Sequence, residues 1–345
     1  MTTKIAINGF GRIGRGVLRA LIESGAKDLE VVAINDLAAA PNLLHLLKYD
    51  SVHGRLKSPV TLDGNTLKMG GSTIRLTSER NPQDLPWADV DIAFECTGLF
   101  KSREKAGLLL ANGSKRVLIS APGSDVDRTV VFGVNHQDLT PEDVIVSNAS
   151  CTTNCLAPVA KVLDKTVGIR TGYMTTIHAF TGDQPSHDSN HDDLYRARAA
   201  SMSMIPTSTG AARAISQVLP QLEGRLEGSA VRVPTPNVSM VDFCFMPERA
   251  ASREAINAAI REASQGELAG ILGYEEDPLV SIDFNHDPHS SVFAAAQTSV
   301  TRDGLVRVVS WYDNEWGFSN RMLDNGRLMG ALLRGAPTAP LRMAG

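Results

Sequence analysis

A short apolar run, Lys4–Asn8, turns through Gly9-Phe10-Gly11-Arg12-Ile13-Gly14 into a helical pattern over Arg12–Glu23. This is the feature that most restricts the fold. Glycines at this spacing turn a strand tightly into a helix; the missing Cβ at Gly11 lets a pyrophosphate approach, and the helix start offers it unpaired N–H groups. A second strand pattern, Glu30–Asn35, delivers Asp36 at its carboxyl end, 22 residues after Gly14. An acid there is placed to grip the ribose diol of a dinucleotide. The opening segment therefore predicts parallel βαβ units and a nicotinamide cofactor contacted by Gly9, Gly11, Gly14 and Asp36.

The same rhythm continues with strand patterns at Asp91–Glu95, Lys115–Ser120 and Val144–Ser147 and a helical pattern at Ser102–Asn112. Strands apolar along their whole length suit a parallel sheet covered on both faces, so the first half reads as an α/β doubly wound domain. After a helix expected from about Ser150 to Asp164, strands follow one another: Gly172–His178, Gly228–Val233, Asn237–Met246, Ser291–Val300 and Leu305–Tyr312. That succession predicts an α+β domain with a mostly antiparallel sheet. Residues 1–149, completed by a C-terminal helix at 315–335, form the expected dinucleotide-binding domain, and 150–314 the expected catalytic domain. A chain of 345 residues is long enough for two such cores. Ala179–Ser203 lacks periodicity, and irregular segments of that length are usually functional. The tail 335–345, with two prolines, is expected to fray.

Charge and cysteine usage narrow the partners. With 34 basic against 38 acidic residues, nothing draws the chain globally toward nucleic acid or anionic lipid. No apolar stretch reaches the roughly 20 residues of a membrane helix, and the first residues show no secretory signal. Four cysteines in so long a chain make no disulfide framework, which points to reducing cytosol. They form no metal-binding cluster either, so no metal is expected. Cys151 stands out, since Ser150-Cys151-Thr152-Thr153-Asn154-Cys155 joins a strand to a helical pattern. At a helix N-terminus, free N–H groups favour thiolate over thiol. Cys155, one turn on, is expected in packing, as are Cys96 and Cys244 in apolar strands. A cysteine nucleophile needs a basic partner. His178, ending a strand just before the irregular segment, is the best placed, but His187, His191, His286 and His289 stay open on spacing alone.

Taken together, Gly9–Arg15, Asn35-Asp36, Ser150–Cys155, Thr207–Ala212 (TSTGAA), Arg232–Ser239 (RVPTPNVS) and Trp311–Gly317 (WYDNEWG) resemble phosphorylating glyceraldehyde-3-phosphate dehydrogenase from Lys4 to about Leu333. The resemblance implies that Cys151 attacks an aldehyde to form a thiohemiacetal. His178 takes the proton, hydride passes to NAD, and inorganic phosphate cleaves the resulting thioester. It further implies that Thr181 and Arg232 hold the phosphate of a phosphorylated aldehyde. The attacking phosphate falls to Ser150, Thr152, Arg196, Thr209 and Gly210. For the cofactor it adds Arg12 and Ile13 at the pyrophosphate, Arg80 and Ser120 as further contacts, and Asn314 at the nicotinamide carboxamide. A homotetramer follows from the same resemblance.

Three departures bear on specificity. Phe318 replaces the family's usual tyrosine, keeping the aromatic wall beside the nicotinamide but losing a hydroxyl. Ser189-Asn190 replaces the Leu-Pro of strictly NAD-using members, which leaves NADP use open, although Asp36 would repel a 2′-phosphate. Segments at Ser281–His289 and Asn314–Arg321 also resemble erythrose-4-phosphate dehydrogenase. Retention of Thr181 and of Ser208-Thr209-Gly210-Ala211-Ala212 favours glyceraldehyde 3-phosphate. A non-catalytic NAD-binding redox sensor is the alternative outside enzymology.

Overall fold

The computed structural model describes residues 2–69 and 71–335, so the expectation of a frayed tail falls, beyond Gly335, outside the described residues. Two units are present, one built from 2–130, 136–149 and 319–335, the other from 131–135 and 150–318. No described helix is long and apolar enough to cross a membrane.

In the first unit, a nine-stranded sheet runs in the order Arg128–Thr129, Ile145–Ser147, Arg116–Ile119, Ile92–Glu95, Thr3–Asn8, Leu29–Asn35, Ser72–Thr77, Thr66–Met69, Val60–Asp63. The first seven pair in parallel, and side chains such as Ile5, Ile7, Ile34, Phe94 and Leu118 are fully buried. Thr3–Asn8 lies between Leu29–Asn35 and Ile92–Glu95, so the chain leaves it first to one side and later to the other. The carboxyl end of such a strand is a topological switch point, where doubly wound sheets bind ligands. Gly9 begins there.

The second unit carries an eight-stranded sheet whose main path is Ile205–Ser208, Leu226–Val233, Ile169–Ala179, Ser239–Pro247, Val306–Tyr312, Ser291–Ala294, Leu272–Glu275. Ser299–Val300 pairs alongside Val306–Tyr312. Most pairs are antiparallel; Ile169–Ala179 with Leu226–Val233 and Leu272–Glu275 with Ser291–Ala294 are parallel. The helix Cys151–Val167 packs across this sheet and against the helices Ala211–Val218 and Arg253–Gln265.

Several elements differ from the sequence reading. The strand Ser72–Thr77 and the hairpin Val60–Asp63/Thr66–Met69 extend the first sheet with an antiparallel edge. Their signal was short: Gly64-Asn65, between brief apolar alternations, is the two-residue hairpin turn, with Gly64 at φ +57°. The helix expected at Ser102–Asn112 is two pieces, Arg103–Ala106 and Leu108–Ala111, meeting at Gly107. Glycine is a weak helix former, and the break falls on it. Ser291–Val300 is interrupted by a 3-10 turn at Ala295–Gln297. Helices Ala40–Lys48, Ala211–Val218 and Arg253–Gln265 were not anticipated. The last buries only Ile256, Ile260 and Ala263, a narrow stripe on an otherwise polar segment.

Candidate active site

The turn after Thr3–Asn8 is shaped by its glycines. Gly9 has φ +91°, and a Cβ there would sit 2.7 Å from the Thr97 backbone nitrogen. A Cβ at Gly14 would meet the Gly9 carbonyl, whereas one at Gly11 would meet nothing, since Gly11 faces open space. Gly11 caps the helix Arg12–Ser24 without a side-chain bond, and no acid occupies its first turn. An uncapped helix start with room before it fits the pyrophosphate of a dinucleotide. The Arg12 side chain is turned away to Asp50 at 2.6 Å, holding that carboxyl well below its ordinary range against the opposing effect of burial. This leaves backbone N–H groups as what Arg12 and Ile13 offer. Asp36 accepts the Phe10 N–H at 2.8 Å and the Ala38 N–H at 2.9 Å, one per oxygen, which locks its carboxylate over the turn. Beneath it a polar ladder crosses the strand ends. Asn35 donates to Asn8 at 2.8 Å, and Asn8 to the buried Glu95 at 2.6 Å. Burial pushes the Glu95 carboxyl up to about 7 although Thr97 and Asn8 donate to it. Ser120 follows the strand Arg116–Ile119 and is half-buried; Arg80 is exposed.

In the second unit, Ser150 caps the helix Cys151–Val167 by accepting the Thr153 N–H at 3.0 Å, so Cys151 is the first helical residue. Its Sγ lies 3.4 Å from Nε2 of His178. His178 is 4% exposed, and its Nδ1 stands 2.6 Å from the Ala179 carbonyl. A carbonyl only accepts, so Nδ1 carries the proton and Nε2 presents its lone pair to the thiol. Burial, then the nearby Arg232 charge, hold the imidazole neutral, down to about 3. For Cys151, burial pushes the thiol up, opposing the helix start, while Arg232 and Thr152 pull it down. The expected depression of the thiol by the helix terminus is thus outweighed by burial. What helps ionisation is the pair: charges 3.4 Å apart attract by about 5 kcal/mol at an effective dielectric near 20. The two groups titrate as a unit. His178→Asn is expected to remove the proton acceptor and move the thiol's apparent pKa upward by about a unit or more. The pH profile of Cys151 alkylation by iodoacetamide measures this, and an unchanged profile would remove His178 from the role of base.

Around this pair stand the anion candidates. Arg232 Nη1 donates to Thr181 Oγ1 at 2.9 Å and to the Ala179 carbonyl at 3.1 Å, and its Nε is buried with no partner among the described residues. Thr181 also donates to Asp183, whose other oxygen accepts Arg196 Nη1 at 3.3 Å. Arg196 Nε reaches Thr207 Oγ1 at 3.1 Å. Cys151, His178, Arg232, Thr181 and Arg196 are therefore joined contact by contact. Ser150 Oγ is occupied in capping, and the Thr152 hydroxyl is buried against Tyr312 Oη at 2.8 Å, which leaves their backbones toward any ligand. Thr209 and Gly210 open the helix Ala211–Val218, with Thr209 Oγ1 accepting the Ala211 N–H at 3.2 Å. Among the described residues, no hydrogen bond ties the Thr209 hydroxyl to the cluster. Ser189 and Asn190 lie exposed on the irregular segment.

Four residues were not singled out from sequence. Tyr312 bonds Thr152 and, at 2.9 Å, Thr176, and sets its ring edge against His178. Asp183 neutralises Arg196. Asp313, 1% exposed, accepts the Glu315 and Trp316 N–H groups and so starts the helix Trp316–Leu333; its other oxygen holds Asn237 and the His286 N–H. Ser239 bonds Asn314 at 2.7 Å. Tyr312, Asp313 and Ser239 lie inside motifs already noticed, WYDNEWG and RVPTPNVS, and Asp183 is two residues past Thr181. Phe318 is buried in the first turn of that helix.

Along most of its length the chain is similar to known proteins. Residues 3–103 match the family model described as glyceraldehyde 3-phosphate dehydrogenase, NAD binding domain, and 150–314 match the C-terminal domain of the same family. The chain is 60% identical over 333 residues to glyceraldehyde-3-phosphate dehydrogenase of Cereibacter sphaeroides, covering 96% of this chain and 100% of that one. It is 61% identical over 334 residues to the protein of that name from Xanthobacter flavus, with the same coverage. For the Pseudomonas aeruginosa protein the identity is 56%, over 96% of this chain and 99% of the other.

Proposed function

Since the chain belongs to the glyceraldehyde 3-phosphate dehydrogenase family, we propose that it catalyses the reversible oxidative phosphorylation of glyceraldehyde 3-phosphate to 1,3-bisphosphoglycerate with NAD. The observation that carries the reading is the Cys151–His178 pair, with the imidazole lone pair facing the thiol and Arg232 anchored beside it. Cys151 attacks the aldehyde carbon as Nε2 takes the thiol proton, and the Cys151 N–H, free of an i−4 acceptor, faces the developing oxyanion. The NAD ring, when bound, accepts the hydride. His178, having returned the thiol proton to the oxyanion to give the thiohemiacetal hydroxyl, takes it up again as the hydride leaves, and the resulting thioester is cleaved by phosphate. Arg232 and Thr181 anchor the substrate phosphate. Arg196, Thr209 and Gly210, with the backbone at Ser150 and Thr152, receive the attacking one. Gly9, Gly11, Arg12, Ile13 and Gly14 hold the pyrophosphate through backbone, Asp36 the ribose, with Arg80 and Ser120 as further contacts. Asn314 and Phe318 are assigned to the nicotinamide. Rising absorbance from NADH on mixing protein, NAD, aldehyde and phosphate tests the reading; no rise, or a rise indifferent to phosphate, would overturn it. No observation favours erythrose 4-phosphate or an idle redox sensor.

NAD is preferred over NADP on this reading, because Asp36 is pinned by two backbone N–H groups and cannot easily leave a 2′-phosphate. The ratio of kcat/KM values decides it, and more than about tenfold in favour of NADP, ~1.4 kcal/mol, would reverse the assignment. Exposed apolar side chains support assembly. Leu194, Tyr195, Met202 and Met204 are all more than half exposed, beside a hollow of about 560 Å³ lined also by Ile205 and Pro206. We assign that surface to contact with further copies in a homotetramer. Cys96, Cys151, Cys155 and Cys244 all stand as free thiols, which supports a cytoplasmic setting.

A further inference from the structure

The structure points to Ser239 as a positioning residue that sets the catalytic imidazole and the nicotinamide-facing amide of Asn314 through one hydroxyl. The inference rests on the assignment of Asn314 to the nicotinamide made above. Ser239 is 1% exposed and opens the strand Ser239–Pro247, paired with Tyr312 at the end of Val306–Tyr312. Its Oγ accepts the Ala179 N–H at 3.0 Å and lies 2.7 Å from Oδ1 of Asn314. With one N–H already accepted, the hydroxyl proton needs an acceptor, and a buried hydroxyl seldom goes without one. Oδ1 is that acceptor, and 2.7 Å is the usual length of an O–H···O bond rather than of an N–H···O bond. The amide end left over is therefore Nδ2, a donor, which has no partner among the described residues. A donor is what the carbonyl oxygen of a carboxamide requires.

The other half of the link runs through Ala179. Its N–H is tied to Ser239, and its carbonyl receives the Nδ1 proton of His178 at 2.6 Å and Arg232 at 3.1 Å. The two groups flank one Cα, and Ala179 is fully buried at the end of the strand Ile169–Ala179, so tethering its N–H helps hold in place the residue whose carbonyl chooses the imidazole tautomer. Ser239 itself is delivered by a strained residue. Val238 has φ +67°, a conformation that β-branched residues adopt only where their surroundings over-determine it. Removing the hydroxyl would leave Ala179 N–H and Asn314 Oδ1 unpaired in a buried place and free the amide to turn over.

The test compares titrations of NAD with ADP-ribose, which lacks the nicotinamide, in wild type, Ser239→Ala, Asn314→Ala and the double variant. Ser239→Ala is expected to weaken NAD by about tenfold while leaving ADP-ribose unchanged. The double variant should be no weaker toward NAD than Asn314→Ala, because both act through one amide. Ser239→Ala, but not Asn314→Ala, should also displace the pH profile of Cys151 alkylation. An unchanged NAD to ADP-ribose ratio in Ser239→Ala, beside a weakened one in Asn314→Ala, overturns the inference and leaves the nicotinamide assignment standing. An unchanged ratio in Asn314→Ala removes that assignment and the inference with it. Should Ser239→Ala not fold, which loss of ADP-ribose binding reveals, Ser239→Cys keeps the position filled with a weak donor. Its NAD affinity is expected to fall below wild type with ADP-ribose binding unchanged, and wild-type NAD affinity there overturns the proposal.

Discussion

Cys151→Ala is expected to stop NADH formation from NAD, glyceraldehyde 3-phosphate and phosphate, with kcat falling by roughly 10⁴-fold or more. Sγ, 3.4 Å from Nε2 of His178, can become both nucleophile and leaving group. Without it the aldehyde has no covalent route, and the neutral imidazole has no proton to take. NAD affinity should survive within a few-fold, since the turn at Gly9–Gly14 and the Asp36 carboxylate belong to the other unit. Stopped turnover with intact NAD binding separates loss of chemistry from loss of fold. Retention of full dehydrogenase activity would remove the covalent mechanism.

The second large effect is expected at Arg232. Its guanidinium binds Thr181 and the Ala179 carbonyl, lies 3.1 Å from His178 Nδ1, and keeps a buried Nε without a partner. Truncating a desolvated charge that meets a phosphate costs about 2–5 kcal/mol, so kcat/KM for the phosphorylated aldehyde in Arg232→Ala should fall by roughly 10²–10³-fold. Glyceraldehyde without its phosphate should lose much less, and the ratio of the two losses is the measurement. The same change has a signed pH effect. The arginine's charge lowers the His178 pKa, so removing it should let the imidazole hold its proton to higher pH. The acid limb of the kcat profile then moves toward neutrality. Equal losses for both aldehydes would deny Arg232 a phosphate-specific role.

The sequence was most readable where chemistry depends on neighbours along the chain. Gly9–Gly14, Asp36 and Ser150-Cys151 declare themselves by spacing, because a strand–turn–helix sets their relations within a few residues. Choosing His178 among eight histidines needed more than spacing, since its partner Cys151 is 27 residues away. Tyr312 and Ser239 act over 136 residues to Thr176 and 60 to Ala179, distances that only strand register closes. The rise in the Cys151 thiol was likewise hidden, because a helix start is visible in sequence and burial is not. In the fold, long apolar strands were plain, whereas the edge hairpin Val60–Met69 and the half-polar helix Arg253–Gln265 bury too few side chains to leave a strong period.

Asp183 gives the proposed anion pocket a resident negative charge. It sits on Thr181 and Arg196 before any ligand arrives, with its carboxyl held below the ordinary range by Thr181 and both arginines against the cost of burial. On the proposed assignment, phosphate entry is an exchange: an outside dianion takes over donors that a tethered carboxylate gives up, and departure is the reverse swap. A carboxylate already on Thr181 and Arg196 partly fills the place a dianion would take, which narrows the free-energy gap between the occupied and vacated states. For a reaction that must let go of an acyl phosphate in one direction and of inorganic phosphate in the other, that evenness keeps both exits open.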